Sequence, residues 1–123
     1  MKLEPNMYVR TKNGMIAKFR GWNAYDENKV AIHTHNEGDI EITPVIDKNT
    51  IIKASHNIIA LIEVGDYVST VTGECAVIAG VYNDINSKKY LRLCNCIGDY
   101  YEDNIKSIIT HEQMEQIAYK VGE

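Results

Sequence analysis

Glu4-Pro5-Asn6-Met7-Tyr8-Val9-Arg10-Thr11-Lys12-Asn13-Gly14-Met15-Ile16-Ala17-Lys18-Phe19-Arg20-Gly21 returns without a gap as Glu63-Val64-Gly65-Asp66-Tyr67-Val68-Ser69-Thr70-Val71-Thr72-Gly73-Glu74-Cys75-Ala76-Val77-Ile78-Ala79-Gly80. At a constant offset of 59, the pairs Glu4/Glu63, Tyr8/Tyr67, Val9/Val68, Thr11/Thr70, Gly14/Gly73, Ala17/Ala76 and Gly21/Gly80 are identical. That offset is close to half of the 123 residues, which predicts two related units, 1–56 and 57–123. Halves of this size are marginal alone, because small domains bury a low fraction of their surface. The joining segment from Ile51 to Ile62 is apolar rather than linker-like, so the expectation is one compact pseudo-symmetric body.

Tyr, Val, Ile and Thr recur in short segments punctuated by Gly, Asn and Asp, the pattern of strands and turns. The first unit reads as strands 7–11, 15–22, 29–34 and 40–43, with turns at 12–14 and 36–39. The second reads as strands 66–70, 74–82, 89–94 and 100–103, with turns at 72–73 and 98–99. Residues 57–61 fit either a helical turn after Ser55 or a strand. Thr110-His111-Glu112-Gln113 is a capping box, followed by Met114, Ile117, Ala118 and Val121 at helical spacing, predicting a short helix from about residue 111 to 120.

The Asn13-Gly14 turn sets the register. A two-residue loop would oppose Val9 to Lys18 and mix apolar with charged side chains on one face. With Gly14 left-handed in a bulged three-residue loop, Met7, Val9 and Thr11 oppose Phe19, Ala17 and Met15. Tyr8, Arg10, Lys18 and Arg20 then share the other face, and Gly73 serves the second unit in the same way.

The formal net charge is −4 and hydrophobic residues make up 45%, ordinary for a folded domain and unfavourable for indiscriminate nucleic-acid binding. Residues 1–20 nevertheless carry Lys2, Arg10, Lys12, Lys18 and Arg20 against Glu4, a local +4. Three cysteines form no disulfide framework, and no signal core or membrane-length apolar run is present, which points to a reduced cytoplasm.

Glu63-Val64-Gly65-Asp66-Tyr67-Val68, with Gly73 and Ala76-Val77-Ile78 after it, resembles the first hairpin of SH3-like barrels of the KOW and Tudor kind. The first unit departs from that motif, with Asn6-Met7 in place of Gly-Asp. The resemblance implies an all-β fold with minor α content: two tandem SH3-like small barrels packed together, closed by a short carboxyl-terminal helix. Asn57 to Val68 and Asp103 to Gln113 look like small accessory proteins of phages and prophages of Gram-positive bacteria. That resemblance implies a host-cell cytoplasm and a non-catalytic protein that blocks or sequesters a host factor, with anti-CRISPR-like inhibition or nucleotide sequestration as concrete forms.

Tyr8, Arg10, Lys18, Arg20 and Trp22 are the candidate binding residues, since cations beside aromatic surface suit phosphates and nucleotides. A solvated polar sheet face is the plainer reading of the same pattern. The partner is a host protein or a small nucleotide. A KOW-like nucleic-acid module using hairpin 7–22 is the alternative, and no membrane partner is implied. His33-x-His35 and Cys94-x-Cys96 occupy similar places in the two units and are weak zinc candidates, strand residues two apart sharing a face. No cofactor is implied, and no P-loop, dinucleotide-binding glycine pattern or local nucleophile–base signature occurs. The stripe of the terminal helix packs on its own unit or pairs with a second copy as a homodimer.

Overall fold

The computed structural model describes residues 2–118 and 121–122. The chain divides into two compact units, Met1–Leu61 and Ile62–Glu123. Residues 57–61 therefore belong with the first unit, where the sequence reading had placed them in the second. The reason is local: Ile58–Leu61 forms a 3-10 turn that packs on the first and last sheet strands of that unit.

In the first unit the strands are β1 (Tyr8–Thr11), β2 (Ile16–Trp22), β3 (Lys29–His33), β4 (His35–Glu37), β5 (Ile40–Ile42), β6 (Val45–Asp47) and β7 (Ile51–Ser55). Five of them form an antiparallel sheet in the order β6-β3-β2-β1-β7, while β4 and β5 make a separate ribbon. The segment expected to be the fourth sheet strand is thus that ribbon's second strand. Val45–Asp47 takes the sheet position instead, entering after Pro44, which has no N–H to give a ladder. A 3-10 turn, Lys48–Thr50, leads into β7 and is capped by the Asp47 side chain.

The second unit repeats this plan with β8 (Tyr67–Thr70), β9 (Cys75–Asn83), β10 (Lys89–Leu93), β11 (Ile105–Ile109) and helix α1 (His111–Ile117). Its sheet order is β10-β9-β8-β11. The expected strand over residues 100–103 reduces to a bridge between Tyr100 and Leu91, followed by a 3-10 turn at Glu102–Asn104. Both sheets are open-ended in their hydrogen bonding, and the described residues are β-rich with one short α-helix.

The duplication is written in the hydrogen bonds. Val9 faces Ala17 in one hairpin and Val68 faces Ala76 in the other, the bulged register. Gly14 and Gly73 stand at φ 88° and 98°, the left-handed region that this loop requires and that only glycine enters cheaply. Thr11 Oγ1 accepts the Met15 N–H at 3.1 Å, and Thr70 Oγ1 accepts the Glu74 N–H at 3.1 Å. A register shift follows Phe19 against β3, and the same shift follows Ile78 against β10. Residues 4–21 and 63–80 thus follow the same backbone plan, each described within its own unit.

Matched positions also build the two cores. Val9, Phe19, Val30 and Ile32 are buried in the first unit, as are Val68, Ile78, Leu91 and Leu93 in the second. Each such side chain contributes roughly 1.5–3 kcal/mol on leaving water. The alternation that buries them comes from a period of two along each strand, so their neighbours face outward.

The capping box forms as expected: Gln113 N–H donates to Thr110 Oγ1 at 3.3 Å, and Thr110 N–H donates to Gln113 Oε1 at 3.0 Å. The helix stops earlier than expected, because Ala118 has extended ψ at 138°. Tyr119 and Lys120, within the expected helix, lie outside the described residues. Its stripe is not buried: Met114 is half-buried, while Ile117 is 81% and Val121 88% exposed.

Candidate functional site

The outer face of the β1–β2 hairpin carries the residues the sequence nominated, and the fold sorts them. Tyr8 and Lys18 face each other across the ladder, with the Lys18 ammonium 5.3 Å from the Tyr8 ring centroid. Arg20 stands at the bulge of β2 and is exposed. Its Nη1 donates to Asn6 Oδ1 at 2.8 Å and its Nε to Glu41 Oε1, from β5. Tyr8, Lys18 and Arg20, with His33 and Thr34, line the polar side of a depression of about 300 Å³. Ile16, Ala17 and Ile58 supply its apolar side.

Arg10 is not on this surface. It is fully buried, and its Nη1 donates to the Leu61 carbonyl at 2.9 Å. The correction has a physical cause: the chain leaving β7 turns at Ile58–Leu61 and covers the part of the face that Arg10 occupies. A buried guanidinium of this kind ties the unit's end to its first strand. Trp22 is 52% exposed but belongs to a different recess, lined with Leu3, Lys48, Asn49 and Ile51. There the Lys48 ammonium lies 5.6 Å over its ring, and Phe19 meets it edge-on at 5.8 Å.

The histidine and cysteine pairs have separate surroundings. His33 Nε2 is 2.8 Å from Asn36 Oδ1 and its Nδ1 is 4.0 Å from Glu41 Oε1. The same Glu41 oxygen therefore meets both Arg20 and His33. His35 engages Thr34 Oγ1 at 2.9 Å and lies near Glu37. Cys94 is an exposed free thiol after β10, and Cys96 is half-buried in the turn that follows. Among the described residues, the one group with donor atoms close enough to share an ion is Glu63, His111 and Glu112, within 4.8 Å of one another. His111 Nε2 contacts Glu63 Oε1 at 2.8 Å and Glu112 Oε1 at 3.1 Å, so ion pairing within the group accounts for its geometry. Glu4 meets His56 at 2.9 Å in the first unit, the counterpart of that contact.

Reading strand by strand missed a row of tyrosines on the outer face of the second unit. Tyr82 on β9 pairs with Tyr90 on β10, their ring centroids 5.7 Å apart. Tyr101 follows at 5.7 Å from Tyr90. The Arg92 guanidinium sits 5.6 Å from the Tyr82 centroid and 5.9 Å from that of Tyr90, and its Nε donates to Asp99 Oδ1 at 3.1 Å. That carboxylate raises the Arg92 pKa. Lys88 lies 5.1 Å over Tyr101, whose hydroxyl donates to Asp84 Oδ2 at 3.1 Å. Burial first, and then Asp84, raises the Tyr101 pKa, while Asp84 itself is lowered, chiefly by the Lys88 N–H. By place in the fold, Tyr82, Tyr90 and Tyr101 match Asn23, Lys29 and Asp47, neighbours across the first unit's sheet, but at offsets of 59, 61 and 54, so the gapless repeat alone did not bring the three together.

No family model, no curated protein and no solved structure matches the chain.

Proposed function

We propose that the protein is a non-catalytic binding protein whose first unit captures a small anionic ligand of the nucleotide class, in a phage or prophage setting where such capture disarms a host factor. The observation that carries this reading is the convergence of Tyr8, Lys18, Arg20 and His33 around one depression of about 300 Å³. That volume lies at the lower end of the roughly 300–1,000 Å³ of small-molecule sites. Glu41 already holds a carboxylate oxygen between Arg20 and His33, so an anion has a defined position there. A ligand phosphate would displace Glu41, Lys18 would meet it as a point charge, and the Tyr8 ring offers a base a stacking face.

Each unit is an SH3-like small barrel in this reading. The support is the order β6-β3-β2-β1-β7 with a 3-10 turn before the last strand, and its counterpart in the second unit. The phage or prophage setting, the anti-defence role and the host target rest on the sequence resemblance. A reducing host cytoplasm agrees with three free thiols. A KOW-like nucleic-acid module would draw on the same hairpin, yet Arg10 is buried and Arg20 is engaged by Glu41.

Thermal unfolding with ATP, a cyclic dinucleotide, inorganic phosphate and a single-stranded oligonucleotide tests the reading. A ligand at a hundredfold excess over Kd stabilises by about 2.7 kcal/mol, seen as a rise in Tm. That rise should vanish in Lys18→Glu/Arg20→Glu and grow in Glu41→Gln, which removes the competing carboxylate. A wild-type Tm indifferent to every nucleotide and to phosphate would overturn it. Steeply salt-dependent binding of the oligonucleotide alone would favour the KOW-like alternative.

A further inference from the structure

We infer that the tyrosine row of the second unit is a docking surface for an arginine-bearing segment of a partner protein. The inference is independent of the pocket in the first unit and uses none of its residues. Its geometry is carried by Arg92. That side chain shows what the surface does with a guanidinium: it lies over the Tyr82 and Tyr90 rings and is held by Asp99. Lys88 shows the same for an ammonium on Tyr101. Ring faces carry negative quadrupole potential, so a row of three extends an attraction for cations along the sheet. The charge of the whole unit has the matching sign: residues 62–123 hold ten acidic against five basic side chains. At the row itself Asp84 and Asp99 stand beside Lys88 and Arg92 and balance them. A polyanion such as a nucleic-acid strand would meet a net repulsive unit, although tyrosines suit bases.

The surface is built rather than incidental. Gly80 lies beneath Tyr82: a Cβ there would come within 2.4 Å of the Tyr82 hydroxyl oxygen and 2.5 Å of its ring. Only glycine lets the ring fold flat against the strand beside Arg92. Tyr82 is nevertheless 47% exposed, and Ile85 at the tip of the same hairpin is 99% exposed, giving an approaching chain an apolar contact. Tyrosine combines apolar area with low conformational entropy, the property that makes it frequent in protein interfaces.

The test uses the full chain and a labelled octa-arginine peptide, with octa-lysine for comparison, followed by anisotropy and by the NMR ring resonances of the wild type. The expected result is saturable binding at 150 mM salt, at least threefold tighter for arginine than for lysine, with the Tyr82 and Tyr90 resonances shifting first. Gly80→Ala and Tyr82→Ala should each weaken it about tenfold, whereas Lys18→Glu should not. Should Gly80→Ala unfold the chain, the wild-type resonances still decide. Overturning results are arginine binding that leaves these resonances unmoved, or no preference for arginine. Saturation of the row by an oligonucleotide in place of the peptide, or its burial in a homodimer that Tyr82→Ala dissociates, would equally sink the inference.

Discussion

Asn23, Lys29 and Asp47 cross the outer face of the first unit where Tyr82, Tyr90 and Tyr101 cross that of the second. Conversely, the cations Lys18 and Arg20 correspond in the repeat to Val77 and Ala79. The inward positions changed within apolar chemistry, Phe19 to Ile78 and Val30 to Leu91, while the outward positions exchanged polar or charged side chains for aromatic or small apolar ones. An inward residue answers to packing density shared with many neighbours, so it tolerates only other hydrophobes. An outward residue answers to whatever it binds. The difference between the units is therefore concentrated at outward positions of one shared backbone plan.

The comparison is most exposed at Arg10, whose counterpart is Ser69. The sequence pattern alone predicts that exchanging Arg10 and Arg20 for Glu leaves stability nearly unchanged. With Arg10 buried against the Leu61 carbonyl, Arg10→Glu should instead cost about 3–5 kcal/mol, read from urea unfolding, while Arg20→Glu stays within about 0.5. Equal and small effects would return Arg10 to the surface. Next in size, Phe19→Ala should cost roughly 3–5 kcal/mol and Ile78→Ala roughly 2–5, a test of whether matched core positions carry matched weight. Gly14→Ala and Gly73→Ala should each destabilise by about 1 kcal/mol or more, and by similar amounts, because both stand at positive φ. Unequal losses would mean that the two turns are not equivalent.

The smallest effect separates the units by pH. Hydroxyls of Thr70 and then Thr72 donate to the Glu74 carboxylate and lower its pKa from the ordinary 4.5. A depressed carboxylate stabilises the fold above pH 4.5, and this contribution is lost as pH falls through the folded-state value. The first unit has neutral Met15 at that place. Glu74→Gln should flatten the acid limb of the stability profile, and an unchanged limb in the variant would assign the acid sensitivity elsewhere.

Much of this was legible in the residues because it is local. The Gly14 loop parity gave the hairpin register, and the same parity held in the copy. Thr110 and Gln113 announced the helix start three residues apart. Strands β7 and β11 were not legible as strands: Ile51-Ile52-Lys53-Ala54-Ser55 does not alternate apolar with polar residues, and Ile105–Ile109 buries its side chains too unevenly to alternate. Their partners, β1 and β8, are some forty residues away in each case, and pairing at that distance leaves no short-range mark.

The candidate site divides in the same way. Tyr8 and Lys18 share a face by ladder register, which alternation alone dictates. Arg20 reaches Glu41 only because β2 bulges and β5 lies in a separate ribbon. By itself, the amino-acid order determined that the chain is a duplicated, hairpin-led β protein, because turn geometry and period-two burial act over a few residues. Tertiary structure decided that Arg10 goes inward, that Glu41 stands between Arg20 and His33, and that three tyrosines form one row. Arg10 and Glu41 depend on segments distant in sequence, and the tyrosine row on where the chain returns after β10, choices made by packing and not by local preference.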